Sequence, residues 1–288
     1  MIRLWALRLV APLAGRFPWA FYPLATAAGW VAWYTRPRER RNIIRNMGPL
    51  CEGDAARIKR EGIKAYQNVA RYWVDLVSLP NRDMSRFEAE HLTIVHAEWL
   101  AVLEAPGPIV AVSAHTGNAE LAVQALTWRG RPYVALVEAL QPPAVADYLQ
   151  RLRSAPGGSF YHANIEGLKA LIGALRRGEM IGMMGDRDLQ NTGVCVELAE
   201  RHVKLPRGPW ELARRAGATV VPMFTARKGG SDDFTLYVYE PFKLGCDGET
   251  DPVQAGAERF ARVLEEHLKR EPGQWAVLED FWRVHGCG

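Results

Sequence analysis

Cysteine is scarce in this 288-residue sequence: Cys51, Cys195, Cys246 and Cys287 lie 144, 51 and 41 residues apart. No two have metal-ligand spacing and none belongs to a short disulfide framework, so free thiols in a reducing compartment are the expectation. Cys287, next to last, forms no prenylation box. The seven histidines include no helical zinc motif, so metal catalysis has no support and no metal or resident cofactor is expected. Also missing are the Gly-x-Ser-x-Gly elbow of serine hydrolases, a Walker A loop and the Gly-x-Gly-x-x-Gly dinucleotide fingerprint. These absences remove the commonest α/β chemistries. Without an internal repeat or a Gly/Ser linker, residues 46–288 read as one domain behind a leader of residues 1–45.

Lysine is absent from that leader, and acid nearly so. Residues 1–45 hold eight arginines (Arg3, Arg8, Arg16, Arg36, Arg38, Arg40, Arg41, Arg45) against Glu39 alone, a charge of +7. The net charge is +4, so the remaining 243 residues sum to −3. The leader is rich in aromatics, including Trp5, Phe17, Trp19, Phe21, Tyr22, Trp30, Trp33 and Tyr34. The stretch 17–34 carries no charge, close to the roughly 20 residues of a spanning helix. Pro18 and Pro23 are expected to break the early part of any helix there, and Trp and Tyr favour the headgroup zone over the hydrocarbon centre. A cleaved signal peptide fits no better. Arginine among large aromatics suits a peripheral segment on anionic lipid, with Trp19, Trp30, Trp33, Arg36, Arg38, Arg40 and Arg41 as its contacts. A helical hairpin packed on the body is the plainer alternative.

Residues 53–79 place Ile58, Ile63, Tyr66, Val69, Ala70, Trp73, Val74 and Val77 at helical spacing. Beyond residue 108, short apolar runs at 109–113, 133–137, 180–184, 219–225 and 234–239 read as strands. Helix-like stretches over about 118–129, 142–153, 164–177, 208–216 and 253–270 lie between them. The alternation gives an α/β fold class: a mostly parallel central sheet flanked by helices on both faces, with an N-terminal amphipathic helical leader.

Reactive groups in such a sheet are expected just past the carboxyl ends of its strands. Two strands end in polar clusters: one in His115-Thr116-Gly117-Asn118-Ala119-Glu120, the other in Gly185-Asp186-Arg187-Asp188. Asn118 is a good N-cap and Glu120 falls in the first helical turn. A loop His115 folding back over the helix start reaches that carboxylate. Glu120 would then fix the tautomer, leaving the other ring nitrogen to take a proton from a hydroxyl. The helix N-terminus would offer backbone donors to an oxyanion or phosphate. On spacing alone, His115 ending a strand and Glu120 stabilising a helix start explain the same residues.

The ordered pattern does more than the pair. The basic aromatic N-terminus, Ser113 to Glu120 as a histidine-x4-acid motif and Gly185-Asp186-Arg187-Asp188-Leu189 come first. Gly193-Val194, Leu205-Pro206-Arg207-Gly208-Pro209, Ala213-Arg214-Arg215-Ala216-Gly217-Ala218, Val221-Pro222 and Pro272-Gly273-Gln274-Trp275 follow. Together they resemble the bacterial lysophospholipid-acyltransferase-like enzymes, which include the late acyltransferases of lipid A synthesis and the phosphatidylinositol mannoside acyltransferases. Glutamate in the His115 motif resembles the lipid A branch, and Asp186-Arg187-Asp188-Leu189 the mannoside branch. Glu197-Leu198-Ala199-Glu200 departs from the aromatic pair and glycine of many relatives.

The resemblance implies transfer of a fatty acyl group from acyl-CoA or acyl carrier protein, as co-substrate, to a hydroxyl of a lipid-linked sugar or glycerol. His115 would be the general base and Glu120 its orienter. Arg153, Asn118, Asp186, Arg187 and Asp188 would line the substrate pocket, arginine being apt for phosphate; a structural ion-pair network is the alternative for Asp186, Arg187 and Asp188, and a solvated helix position for Arg153. The expected setting is the cytoplasmic face of the inner membrane, peripheral on anionic lipids, with a monomeric chain and no nucleic-acid partner. A thioester hydrolase on the same scaffold and a non-catalytic lipid-binding protein are the competing classes.

Overall fold

Proline sets where two successive N-terminal helices begin. Pro18 and Pro37 occupy first-turn positions of α1 (Pro18–Thr35) and α2 (Pro37–Leu50), where a missing N–H costs nothing. The computed structural model describes residues 10–127, 129–138, 141–230, 232–245 and 250–287, so Arg3, Trp5, Arg8 and Cys246 lie outside the described residues. The expectation that Pro18 and Pro23 break the helix is corrected: α1 runs unbroken through Pro23. No described helix is long and apolar enough to cross a membrane.

Asp54 caps α3 (Ala55–Ser78) by accepting from the Ala56 and Arg57 amides. α1 lies along α3, and Trp33 seats on it because Gly62 leaves room: a Cβ there would fall 2.6 Å from the indole. Trp33 is 3% exposed. The chain continues through α4 (Met84–His91), β1 (Leu92–Val95), α5 (Leu100–Glu104), β2 (Ile109–Ser113), α6 (Ala119–Thr127), β3 (Tyr133–Val137) and α7 (Pro143–Ser154). It proceeds through β4 (Ser159–His162), α8 (Ile165–Arg176), β5 (Met180–Met184), a hairpin of β6 (Val194–Leu198) and β7 (Arg201–Leu205), and α9 (Gly208–Ala216). β8 (Thr219–Arg227), β9 (Phe234–Val238), α10 (Pro252–Arg270) and α11 (Phe281–Val284) complete it.

The seven-stranded sheet has the order β1-β9-β8-β2-β5-β3-β4. Every neighbouring pair is parallel except β8 with β9. Successive residues of one strand serve opposite faces. Val110, Val112, Ile181, Val220 and Phe224 pack with Leu171, Leu212, Phe260 and Leu264 of α8, α9 and α10. Ile109, Ala111, Tyr133, Ala135, Met180 and Met223 pack with Leu103 of α5 and Val123 of α6. Burial on both faces is why these strands read as unbroken apolar runs.

β2 sits between β8 and β5, although β3 and β4 separate it from β5 in sequence. The β3–β5 ladder ends at Ala135↔Gly182, two residues short of the ends of both strands. β5 stays paired with β2 as far as Ser113↔Met184, and β3 with β4 as far as Val137↔His162. The sheet therefore parts between β3 and β5 at its carboxyl edge.

The free-thiol expectation is also corrected. Cys195 of β6 and Cys287 form a disulfide, and only Cys51 of the other described residues is a free, buried thiol. The pairing follows from a contact no spacing announces: the Cys287 amide donates to the His202 carbonyl, and Gly286 bridges Val203.

Candidate active site

The strand order brings the two polar clusters together. His115 follows β2, Asp186 follows β5, and those strands are neighbours. His115 Nδ1 lies 2.8 Å from Asp186 Oδ1, and the His115 amide donates to Asp186 Oδ2 at 3.1 Å. The Trp275 indole Nε1–H donates to the same Oδ2 at 3.0 Å. The Asp186 side chain is wholly buried; that of His115 is 33% exposed. Burial would raise the Asp186 carboxyl, but the charge of His115 and three hydrogen bonds outweigh it and hold the group below the usual carboxylate range. An ionised carboxylate only accepts, so Nδ1 carries the ring proton and Nε2 presents its lone pair outward.

The pairing expected between His115 and Glu120 is therefore corrected. α6 starts at Ala119, which carries Glu120 away from the loop. Its Oε2 accepts from the Tyr72 hydroxyl at 2.7 Å and its Oε1 lies 2.5 Å from Arg153 Nε. Arg153 Nη2 also donates to the Tyr72 hydroxyl at 2.9 Å. Desolvation pushes the Tyr72 hydroxyl up, the Glu120 charge adding to it.

Asn118 is spent on structure. Its Oδ1 caps the Leu121 amide at 3.1 Å and its Nδ2 donates to buried Asp75 Oδ2 at 2.9 Å. The amides of Gly117 and Asn118 are engaged as well, by the Gln274 carbonyl at 3.1 Å and by Thr225 Oγ1 at 2.9 Å. The expected oxyanion donors at the helix start are thus already occupied at these positions. Gly117 has φ +53, and a Cβ there would fall 2.5 Å from the Thr225 carbonyl oxygen, so only glycine fits. The loop is closed from the far side by Ala276, whose amide donates to the His115 carbonyl at 2.7 Å.

Arg187 forms two hydrogen bonds with Glu279, 2.9 and 3.0 Å, and His285 Nε2 approaches the same carboxylate at 3.0 Å. Burial would raise Glu279, but these partners hold it below its ordinary value. Asp188 accepts from the amides of Gln190 and Gly193 and shapes the loop after β5. Outside this region, His91, Asp232 and Asp233 bring three potential ligand atoms within 4.8 Å, with Asp232 also paired to Arg82 at 3.0 Å.

Beside Glu120 a small cavity of about 60 Å³ is lined mainly by Ala111, Val123, Tyr133, Phe160, Gly182 and Met184. A groove of about 1070 Å³ lies on the other face, along α8 and α9, with Leu168, Leu171, Ile172 and Leu212 in its wall. Leu136 and Met183 line both. They are the first residues past the end of the β3–β5 ladder.

On the leader, Trp19 is 73% and Trp30 51% exposed, and Arg36, Arg38 and Arg41 are exposed. Trp33 is not available to lipid, being buried against Tyr66 and Gly62. Arg40 lies half-buried over its ring. Tyr72, Asp75, Thr225, Arg227 and Glu279 are parts of the site or its supports that sequence reading did not single out.

Among solved structures, the 1-acyl-sn-glycerophosphate acyltransferase of Thermotoga maritima aligns over 81% of this chain and 99% of its own, at 13% identity and a TM-score of 0.40. The phosphatidylinositol mannoside acyltransferase of Mycolicibacterium smegmatis is 27% identical over 250 residues, 84% of this chain and 78% of that protein. A phosphatidylinositol mannoside acyltransferase of Mycobacterium tuberculosis H37Rv is 26% identical over 275 residues, 89% and 80% of the two chains. The profile of the bacterial lipid A biosynthesis acyltransferases matches residues 3–284, almost the whole chain. The chain belongs to that family and is an acyltransferase.

Proposed function

We propose that the protein transfers a fatty acyl chain from a thioester, acyl-CoA or acyl carrier protein, to a hydroxyl of a membrane glycolipid, either phosphatidylinositol mannoside-like or lipid A-like. The observation that carries the reading is the imidazole tied at Nδ1 to a buried carboxylate, with Nε2 facing outward at the sheet's carboxyl edge. His115 Nε2 takes the proton of the acceptor hydroxyl as its oxygen bonds to the thioester carbonyl carbon. Collapse of the tetrahedral adduct breaks the C–S bond, and the thiolate leaves with the proton that the imidazolium returns. The products are an ester and a free thiol, and His115 is restored. Asp186 stabilises the imidazolium and is the orienter in this reading. Glu120, with Arg153 and Tyr72, braces the start of α6.

The apolar cavity beside Glu120 is the place for the donor chain. As it stands the space is too small for a long chain, and Met183, Met184 and Met223 around it are the side chains that can yield. The exposed face of α1 (Trp19, Leu24, Trp30, Val31) with Arg36, Arg38 and Arg41 supports peripheral attachment to anionic lipid.

Mass spectrometry of a membrane lipid extract incubated with purified protein and palmitoyl-CoA tests the reading. A new acylated glycolipid formed in step with thiol release is expected. Thiol release at one rate with or without lipid would mean hydrolysis instead, and neither product would leave a lipid-binding protein.

A further inference from the structure

The inner face of α1 is polar where it meets α3. Tyr22 and Thr26, one turn apart, each start a chain of largely buried hydrogen bonds, and both chains end on the catalytic loop. In the first, the Tyr22 hydroxyl donates to Asp75 Oδ1 at 2.7 Å, and Asp75 Oδ2 accepts from Asn118 Nδ2 at 2.9 Å and pairs with Arg227. In the second, Thr26 Oγ1 accepts from Arg71 Nε at 2.9 Å and Arg71 Nη1 donates to Asn68 Oδ1 at 3.4 Å. Asn68 Nδ2 then donates to Gln274 Oε1 at 3.2 Å, and the Gln274 carbonyl accepts from the Gly117 amide at 3.1 Å. Arg227 ties the two together, since its own amide and carbonyl hold the Gln274 side chain at 2.9 and 3.0 Å.

Every side-chain link except Thr26 is buried: Tyr22, Asn68, Arg71, Asp75, Asn118, Arg227 and Gln274 are 0 to 5% exposed. A buried ionic network is a poor source of stability compared with apolar packing of the same volume; what it offers is one geometry rather than several. Gly117 and Asn118, where both chains end, are two and three residues past His115. Their position sets how squarely the imidazole meets Asp186, and a misplacement of an ångström in such a group costs turnover steeply.

We infer that α1 is a positioning element of the active site: through Tyr22 and Thr26 it holds the loop at 115–118 so that His115 stays on Asp186. The inference rests on the acyl-transfer reading and adds to it a role for the leader distinct from lipid attachment. Tyr22 and Thr26 touch no substrate in this account. They act through Asn118 and Gly117.

The test is Tyr22→Phe, Thr26→Val and the double variant, in the full-length protein with palmitoyl-CoA and membrane lipid extract. kcat should fall about five- to tenfold in each single variant, the effect of one hydrogen bond, and further in the double variant. KM for palmitoyl-CoA should stay within about twofold, since uniform binding is untouched. Sedimentation with phosphatidylglycerol vesicles should be unchanged. Amide hydrogen exchange should quicken at 116–118 and 121 but not at 110–112 of β2, which separates a loosened loop from a loosened fold. A double variant with kcat within twofold of wild type overturns the inference, and so does faster exchange spread equally over β2. Should Tyr22→Phe fail to fold, Thr26→Val carries the same two outcomes. Wild-type protein without transfer would instead remove the acyltransfer reading itself.

Discussion

Exchanging Asp186 for Asn replaces one buried carboxylate oxygen by an amide nitrogen at almost constant volume. Oδ2 accepts from two donors that cannot reverse their roles, the His115 amide at 3.1 Å and the Trp275 indole at 3.0 Å. The Asn carbonyl oxygen must therefore take that place, which turns its NH2 group toward His115 Nδ1. An amide N–H only donates, so Nδ1 has to give up its proton and the ring carries it on Nε2 instead. The flipped amide would leave two donors facing an NH2 group, at roughly 1–3 kcal/mol each. The outward nitrogen becomes a donor and the base is lost. A wrong-tautomer substitution of this kind costs about 10³- to 10⁴-fold in turnover, or about 4 to 5.5 kcal/mol of barrier. The assay is initial thiol release from palmitoyl-CoA at saturating acceptor, with thermal unfolding measured alongside. Asp186 is held below its ordinary range, so it adds stability above the unfolded carboxylate value of about 3.9 and loses it as pH falls through the lower folded value. The stability gap between wild type and variant should shrink below about pH 4. Transfer within tenfold of wild type in a folded Asp186→Asn protein would show that Asp186 does not set the His115 tautomer.

Glu120→Gln should lower turnover only about tenfold and lower the melting temperature, because it leaves Arg153 beside Tyr72 without its charge partner. A thousandfold loss there, with Asp186→Asn active, would return the orienting role to Glu120. Trp33→Ala should cost about 3–5 kcal/mol of stability in denaturant unfolding, since its seat on Gly62 becomes a void. Trp19→Ser with Trp30→Ser should leave stability alone and weaken sedimentation with anionic vesicles, and equal binding at low salt would return α1 to a packing role. Met183→Trp narrows the opening between β3 and β5, so palmitoyl-CoA turnover should fall more than that of a short-chain donor. An unchanged ratio would place the chain elsewhere.

The alternation of apolar runs made the buried strands legible: 109–113, 133–137 and 180–184 coincide with β2, β3 and β5. β1 and β4 were missed because they are four-residue edge strands with polar or half-buried positions. The β6–β7 hairpin turns on Ala199 and Glu200, both at positive φ, without the glycine or asparagine that usually marks such a turn. Both strand-end clusters were visible, but their adjacency was not. β2 and β5 meet only because β3 and β4 are laid down outside β5, a fact of topology that leaves no local pattern. Proximity in sequence therefore favoured Glu120 as the partner of His115 over Asp186, 71 residues away.

Trp275 and Gln274 hold Asp186 and Gly117 from a segment more than 150 residues beyond His115, while Tyr22 and Asp75 reach the same loop from the opposite end of the chain. The histidine-x4-acid stretch is consequently no portable module. Contacts of such long sequence separation form late, after slow loop closure. Synthesis from the N-terminus brings out α1, with its exposed Trp19 and Trp30, long before residues 274–276 exist to clamp the loop. The hydrogen bonds around His115 and Asp186 are therefore complete only once residues 274–276 have closed on the loop.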